Sequence, residues 1–189
     1  MGSTVDDYNG DTDFYTSGVT VTANTTYRIY VHKYTPNEAI SGTLNIAFTP
    51  STFTVTFDKN GGNTPSTATK SVTYGSTYGT LPTCTRTGYT LDGWYTAASG
   101  GTKITSSSTV STASNHTLYA HWTANTYTVT YNVNGGNALS TTTKSVTYDS
   151  TYGTLATPTR TGYNFNGWYT ASSGGTKIES TTKVTITAN

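Results

Sequence analysis

The sequence predicts a mainly β protein, of β-rich α+β class, built from tandem repeats. Three observations carry this. Thr alone makes up about a quarter of the 189 residues, and Thr, Tyr and Val suit a pleated, half-buried surface because branched and aromatic side chains pack on their neighbours there. Apolar and hydroxyl residues alternate along several short runs, which is the period of a strand with one buried and one wet face. The chain also repeats itself without a gap: Trp94 returns as Trp168, Val72 as Val146, Arg86 as Arg160, Gly88 as Gly162 and Lys103 as Lys177, with roughly two thirds of aligned positions identical. A gapless match of that kind means one structural unit copied in tandem.

Composition narrows the function classes. Hydrophobic residues are 33% of the chain, a share low enough to raise disorder. Disordered chains, however, combine low hydrophobicity with high net charge and few aromatics, whereas here the net charge is +1 and aromatics are 13%. Ten Lys and Arg against nine Asp and Glu leave no basic surface of the sort that displaces counterions from phosphates, so nucleic acid is excluded as a partner. No apolar run approaches the length of a membrane span. Cys84 is the single cysteine; it excludes an internal disulfide and reads as inert packing. Met1-Gly2-Ser3 reads as an expression remnant ahead of a piece of a longer protein.

Residues 1–51 form the first unit. Val19-Thr-Val-Thr-Ala-Asn24 and Thr26-Tyr-Arg-Ile-Tyr-Val31 read as two strands across an Asn turn, and Thr43-Leu-Asn-Ile-Ala-Phe48 as a third. Repeat one covers 52–122. Phe53, Val55 and Phe57 alternate with Thr54 and Thr56 as a strand, which Asn60-Gly61-Gly62-Asn63 breaks because Gly and Asn tolerate positive φ. A second strand carries Val72 and Tyr74. The stretch from Tyr78 through Pro82 to Arg86 is the one place for a short helix or 3₁₀ turn. Gly88 to Tyr95 reads as a third strand kinked at Gly93, Ser99 to Thr102 as a turn, and Leu118, Ala120 and Trp122 as a closing strand. Residues 123–126 are the joint, and repeat two covers 127–189.

The run Gly-Tyr-x-x-x-Gly-Trp-Tyr-Thr from Gly88, then Gly-Gly-Thr-Lys-Ile and later Leu-Tyr-Ala-His-Trp, resembles the Listeria–Bacteroides repeat of internalins and other bacterial surface proteins. The resemblance covers 53–122 and 127–189. It implies tandem β-grasp-like units, several copies per chain, and a stalk or adhesion role at the cell surface without catalysis. The first unit resembles the final strands of the β-sandwich domains attached to secreted bacterial hydrolases, so a partial β-sandwich-like segment is expected over 1–51. The alternative is the tail of a degenerate preceding repeat, because Lys183 to Asn189 is very like Gly18 to Asn24.

Repeat two departs from the pattern at its end. The positions that match the closing strand of repeat one fall after Asn189. The expectation is a lost sheet strand and an exposed edge or gap; a strand taken from a neighbouring molecule would give strand-swapped self-association.

Candidate chemistry is sparse. Asp7, Asn9, Asp11 and Asp13, in the stretch Asp6 to Asp13 that holds four of the nine acidic residues, come closest to a calcium loop, since calcium takes six to eight hard oxygens. Their spacing is not that of an EF-hand and no Glu closes the loop, so the competing reading is a solvated terminal segment. His32, His116 and His121 lack the companions of a zinc site. Asp58 becomes Asn132 and Asp92 becomes Asn166 in the second copy, a swap no catalytic acid survives. Lys70/Lys144 and Lys103/Lys177 recur, as a Lys in an intramolecular covalent bond would, but no Glu recurs to assist them. A Trp repeated at one position of a small unit is its core anchor, which leaves Tyr95 and Tyr169, on the opposite face of the strand, as the candidates for surface contact.

The reading that follows is a non-catalytic extracellular repeat region of a bacterial surface protein, a spacer or adhesion module with no cofactor beyond the calcium candidate. Its partners would be a host or neighbouring-cell surface protein or glycan. The alternative is a carbohydrate- or protein-binding accessory module of a secreted hydrolase.

Overall fold

The computed structural model describes residues 50–189; the expected strands of 1–49, the calcium candidates Asp7, Asn9, Asp11 and Asp13, and His32 lie outside them. Repeat one contributes β1 (Thr52–Asp58), β2 (Thr69–Thr73), β3 (Tyr89–Tyr95), β4 (Lys103–Ile104) and β5 (His116–Ala124). They form one sheet in the order β2-β1-β5-β3-β4. The β1–β5 pair is parallel and every other pair antiparallel. The last strand of the unit thus sits in the middle of its sheet.

Each element follows from its residues. In β1 the alternation points Val55 and Phe57 inward and leaves the intervening Thr side chains wet. Asp58 Oδ1 then accepts the Asn60 N–H at 2.8 Å, and Asn60 and Gly61 take φ of 41° and 87°, which turns the chain out of the sheet. β3 carries the expected kink: its register against β5 shifts between Leu91 and Gly93, where the Lys103 side chain crosses so closely that a Cβ on Gly93 would lie 2.7 Å from Cε.

No helix occurs among the described residues, so the helix or 3₁₀ turn expected over 78–86 is replaced by an extended loop. The physical reason is where its polar groups go. Lys70 Nζ donates to the carbonyls of Tyr78 (2.6 Å) and Thr80 (2.8 Å), and the Tyr78 and Gly79 N–H groups donate to Ser108 and Ser106 carbonyls. With donors and acceptors satisfied by other segments, the loop does not need local i to i+3 bonds.

That loop and the one before β5 cover a single face of the sheet. The core there is Val55, Phe57, Val72, Tyr78, Trp94, Val110, Leu118 and Ala120. Trp94 is 2% exposed, meets Phe57 edge-on with ring centroids 4.8 Å apart, and donates its indole N–H to the Pro82 carbonyl at 2.8 Å. This satisfies both halves of the indole's chemistry, apolar body and polar handle.

Repeat two begins the same way. β6 (Thr126–Thr130) pairs with β7 (Thr143–Thr147) in the register of β1 and β2, and β8 (Trp168–Tyr169) pairs with β9 (Lys177–Ile178) as β3 does with β4. The two ladders are separate sheets. Among the described residues no strand joins them. The consequences for packing are large. The buried core shrinks to Val146, Tyr152 and Val184, Trp168 is only half-buried, and Tyr163, Phe165 and Tyr169 are 66%, 43% and 40% exposed.

The different surroundings of the paired tryptophans give a direct test. Trp94→Ala should cost repeat one about 3–5 kcal/mol, the usual range for a large buried aromatic, and Trp168→Ala distinctly less. Urea unfolding followed by amide signals of each repeat separately measures both; equal losses would contradict the packing described.

Candidate interaction surfaces

Several titratable side chains of the described residues are engaged in structure. Asp58 is an acceptor for a turn N–H, and Asn132 does the same for Asn134 at 3.0 Å, so the Asp-to-Asn change keeps the geometry and discards only the charge. Asp92 accepts from the Tyr95 hydroxyl and from Lys103 Nζ. At the matching site Asn166 donates to the Tyr169 hydroxyl instead, at 3.2 Å, and Lys177 turns to Glu179 at 3.5 Å. His116 Nδ1–H donates to the Ser114 carbonyl, which leaves Nε2 to accept from Tyr78 OH at 2.8 Å. Burial pushes the Tyr78 phenol and the Cys84 thiol up from their ordinary values. Among the described residues no group of three or more His, Cys, Asp or Glu is placed to hold a metal. Lys70 and Lys144 meet backbone carbonyls rather than Asn or Asp side chains.

Tyr95 and Tyr169 do project away from the tryptophan core, and their surroundings differ. The Tyr95 ring lies flat on His121, centroids 3.9 Å apart and planes 9° from parallel, while His121 Nε2–H donates to the Ala97 carbonyl at 2.9 Å. Its hydroxyl is held by Asp92, and that hydrogen bond raises the Tyr95 pKa and lowers that of Asp92. One ring face is therefore occupied from within the fold. Tyr169 has no such cover among the described residues and stands 40% exposed. The stack depends on His121, a residue of β5, so the strand that completes repeat one also sheathes its surface aromatic.

A second surface was not anticipated from sequence. Repeats one and two meet through Tyr89 and its neighbours. β5 ends at Ala124 and β6 starts at Thr126, so within the joint expected over 123–126 only Asn125 lies between strands. Asn125 is bonded on all sides: its N–H donates to the Gly88 carbonyl, its carbonyl accepts from Tyr148, and its Oδ1 accepts from Thr90 Oγ1 at 2.6 Å. Tyr148 packs edge-on against Tyr89, centroids 5.5 Å apart, over Gly88; a Cβ there would sit 2.3 Å from the Tyr148 ring. The Arg86 guanidinium covers Tyr89 at 3.9 Å from the ring centroid. Finally Tyr89 OH donates to Asp149 at 3.1 Å, and Asp149 pairs with Lys183 at 2.5 Å.

The ion pair is exposed and contributes little by itself. The aromatic contact and the backbone bonds around Asn125 carry the joint. The one signal in the sequence was a correlated difference between copies: Gly75 corresponds to Asp149 and Thr109 to Lys183. Asp149 holds a positive φ of 63°, where Gly75 has 79°, an unusual conformation that Asp tolerates better than most residues.

Two outcomes follow from this joint. Gly88 and Gly162 have nearly equal positive φ, 76° and 77°, so replacing either with Ala carries a similar backbone cost of about 1–2 kcal/mol. Gly88→Ala should lose more than Gly162→Ala in thermal unfolding, since only Gly88 has Tyr148 against it. The pH dependence is also fixed. Lys183 and Tyr89 hold the Asp149 carboxyl below its ordinary 3.8, so its contribution is complete above that pH and lost as pH falls through the depressed folded value. An NMR titration should show the Tyr89 and Tyr148 signals steady down to pH 4 and changing below it, with Asp149→Asn flattening the acid limb.

The comparisons with known proteins agree with this geometry. A family model described as the Listeria–Bacteroides repeat domain matches residues 53–121 and 127–189. The chain is similar to Internalin H of Listeria monocytogenes, 40% identical over 141 residues, covering 72% of this chain and 23% of that protein. It is also similar to two proteins of Evansella cellulosilytica that are named as membrane proteins, one of them Gly-rich. These are 32% and 30% identical, each over 62% of this chain and over 17% and 13% of their own lengths. The chain thus spans about a quarter or less of the length of these relatives. With both copies matched in full tandem order, the chain belongs to the Listeria–Bacteroides repeat family.

Proposed function

We propose that the chain is a non-catalytic, extracellular repeat region of a bacterial surface protein, and that its repeats act as a spacer. The observation that carries this is the joint. A single residue separates β5 from β6, and Asn125, Tyr89, Tyr148 and Asp149 tie the second repeat to the first. A spacer needs that property, because length adds up along a repeat array only if neighbours cannot swivel freely. The relation to Internalin H supports a surface location. The parallel β1–β5 pair at the centre of a mixed sheet supports describing the unit as β-grasp-like. The Asp-to-Asn exchanges support the absence of catalysis, since Asn132 keeps the turn contact of Asp58 and neither Asn132 nor Asn166 has a carboxyl to exchange a proton.

The second reading is a carbohydrate- or protein-binding accessory module, and what favours it is the exposure of the Tyr169 ring. A surface protein or glycan of a host or neighbouring cell is the partner class that such rings suit.

Nitrogen-15 relaxation on the full chain tests the spacer reading. Residues 53–124 and 126–189 should share one rotational diffusion tensor, and Tyr148→Ala with Asp149→Gly should separate them into two; independent tumbling of the unmodified repeats would sink it. A glycan array probed with the unmodified chain and with Tyr169→Ala tests the second reading, which requires binding that the substitution removes.

A further inference from the structure

The guanidinium of Arg86 is fixed in place but not paired. Its central carbon stands 3.9 Å from the centroid of the Tyr89 ring, and its Nη1 comes within 3.3 Å of where a Cβ on Gly61 would lie. Stacking engages the face of a guanidinium and leaves its in-plane N–H donors for other acceptors. The ion pairs among the described residues join Lys103 to Asp92, Lys177 to Glu179 and Lys183 to Asp149, and none includes Arg86. In repeat two, Arg160 stacks on Tyr163 in the same way, at 4.1 Å, but also donates to the Asn134 carbonyl at 3.3 Å. Arg86 has no counterpart to that bond among the described residues.

Arg86 lines a depression of about 310 Å³ together with Asn60, Ser99, His121 and Trp122. The walls are held by bonds to the backbone. Asn60 Nδ2 donates to the carbonyls of Ala98 at 3.0 Å and Ala120 at 2.9 Å, which ties the turn between β3 and β4 to β5. His121 is set by its Nε2–H on the Ala97 carbonyl and by its stack on Tyr95. Trp122 Nε1 donates to the Lys59 carbonyl at 3.1 Å, and its ring rests on Gly62, where a Cβ would fall 2.4 Å from Cζ2.

These bonds decide what the depression offers. Both Nδ2 hydrogens of Asn60 are taken, so the remaining capacity of its amide is Oδ1, an acceptor. With Nε2 donating, a neutral His121 presents Nδ1 as an acceptor too. Ser99 adds a hydroxyl, and the Trp122 indole, its N–H committed, supplies an apolar ring. A fork of in-plane donors matches a carboxylate, to which it makes two parallel charge-assisted hydrogen bonds. Acceptors match hydroxyl groups, and an aromatic wall matches the C–H face of a sugar ring. A bare anion would leave the acceptors unpaired, and a neutral sugar would leave the charge so.

We infer that this depression of repeat one binds an acidic saccharide, with the carboxylate of a uronic-acid-type sugar on Arg86 and its hydroxyls on Asn60 Oδ1 and His121 Nδ1. The inference deepens the carbohydrate-binding reading and rests on it, but uses residues other than Tyr169. The carboxylates of Asp92 and Asp149 are each held by a Lys and a Tyr hydroxyl, which leaves the Arg86 fork to the ligand. Arg86 also covers Tyr89, which bonds Asp149 of repeat two, so the contact that sets the guanidinium for a ligand belongs to the joint between the repeats.

The probe is methyl glucuronide, titrated into the isotopically labelled full chain. Saturable shifts are expected at the Arg86 side-chain N–H groups, the Gly61 and Gly100 amides, the His121 ring and the Trp122 indole N–H. Methyl glucoside keeps the ring without the carboxylate and acetate keeps only the carboxylate; each should bind roughly tenfold or more weakly. Arg86→Lys keeps the charge but removes the fork, and should weaken glucuronide binding about tenfold. Arg160→Lys, the matched change in repeat two, should leave it unaltered. Unmoved Val55 and Leu118 amides check that the sheet of the Arg86→Lys chain is intact, and His121→Phe, which keeps a ring on Tyr95 and lacks the acceptor, should weaken binding as well. The inference is overturned if acetate or the glucoside binds as well as the glucuronide, or if the Arg86→Lys and His121→Phe chains bind it unchanged. Binding that Tyr169→Ala removes and Arg86→Lys does not would also overturn it, while leaving the carbohydrate-binding reading standing.

Discussion

The position of β5 is the constraint on which the rest of the structure depends. A strand that comes last in its repeat but lies at the centre of its sheet must be in place before the β1–β2 and β3–β4 hairpins are joined. Its contribution is not one interaction but several at once. It closes two ladders, delivers Leu118 and Ala120 to the core, places His116 against Tyr78, His121 against Tyr95, and Trp122 Nε1 on the Lys59 carbonyl. In repeat two, over the described residues, the two hairpins keep their registers as separate sheets.

That contrast shows which interactions are local. β6–β7 and β8–β9 retain the registers of their counterparts, and the indole of Trp168 still donates to the carbonyl of residue 156, as Trp94 does to that of residue 82. The side chain there differs, Pro82 against Ala156, and the bond survives because it uses the backbone. What fails is long-range. Two-stranded hairpins are marginal alone, and here they persist by packing against the loop that carries Tyr152 and the segment that carries Val184.

Much of this was legible in the sequence, for physical reasons. Strands announced themselves where one face is wet, because the alternation of Phe53, Val55 and Phe57 with Thr is a direct record of burial. The kink at Gly93 was readable because a Gly inside a strand pattern marks an irregularity or a close approach. The loop over 78–86 was not, because Lys70, eight residues away, satisfies its carbonyls. The Tyr95–His121 stack was hidden for the same reason: two residues on different strands reveal no pattern until the register is known. The joint was hardest to see. Tyr89 and Tyr148 each look like ordinary repeat positions, and only the paired exchange of Gly75 for Asp149 and Thr109 for Lys183 distinguishes the receiving side.

The parallel pairing of β1 with β5 has a mechanical meaning. Tension applied along repeat one would enter at the start of β1 and leave at the end of β5. These two strands run side by side in the same direction over four matched residue pairs, Val55 to Asp58 against His116 to Tyr119. Pulling them apart lengthwise slides one past the other, so their hydrogen bonds are loaded together. A hairpin such as β1–β2, pulled at its open end, would instead give way one bond at a time. Resistance to such a load is a matter of unfolding rate rather than of equilibrium stability, and the strand order of repeat one places its shear-loaded pair directly between the two points where the chain would be pulled.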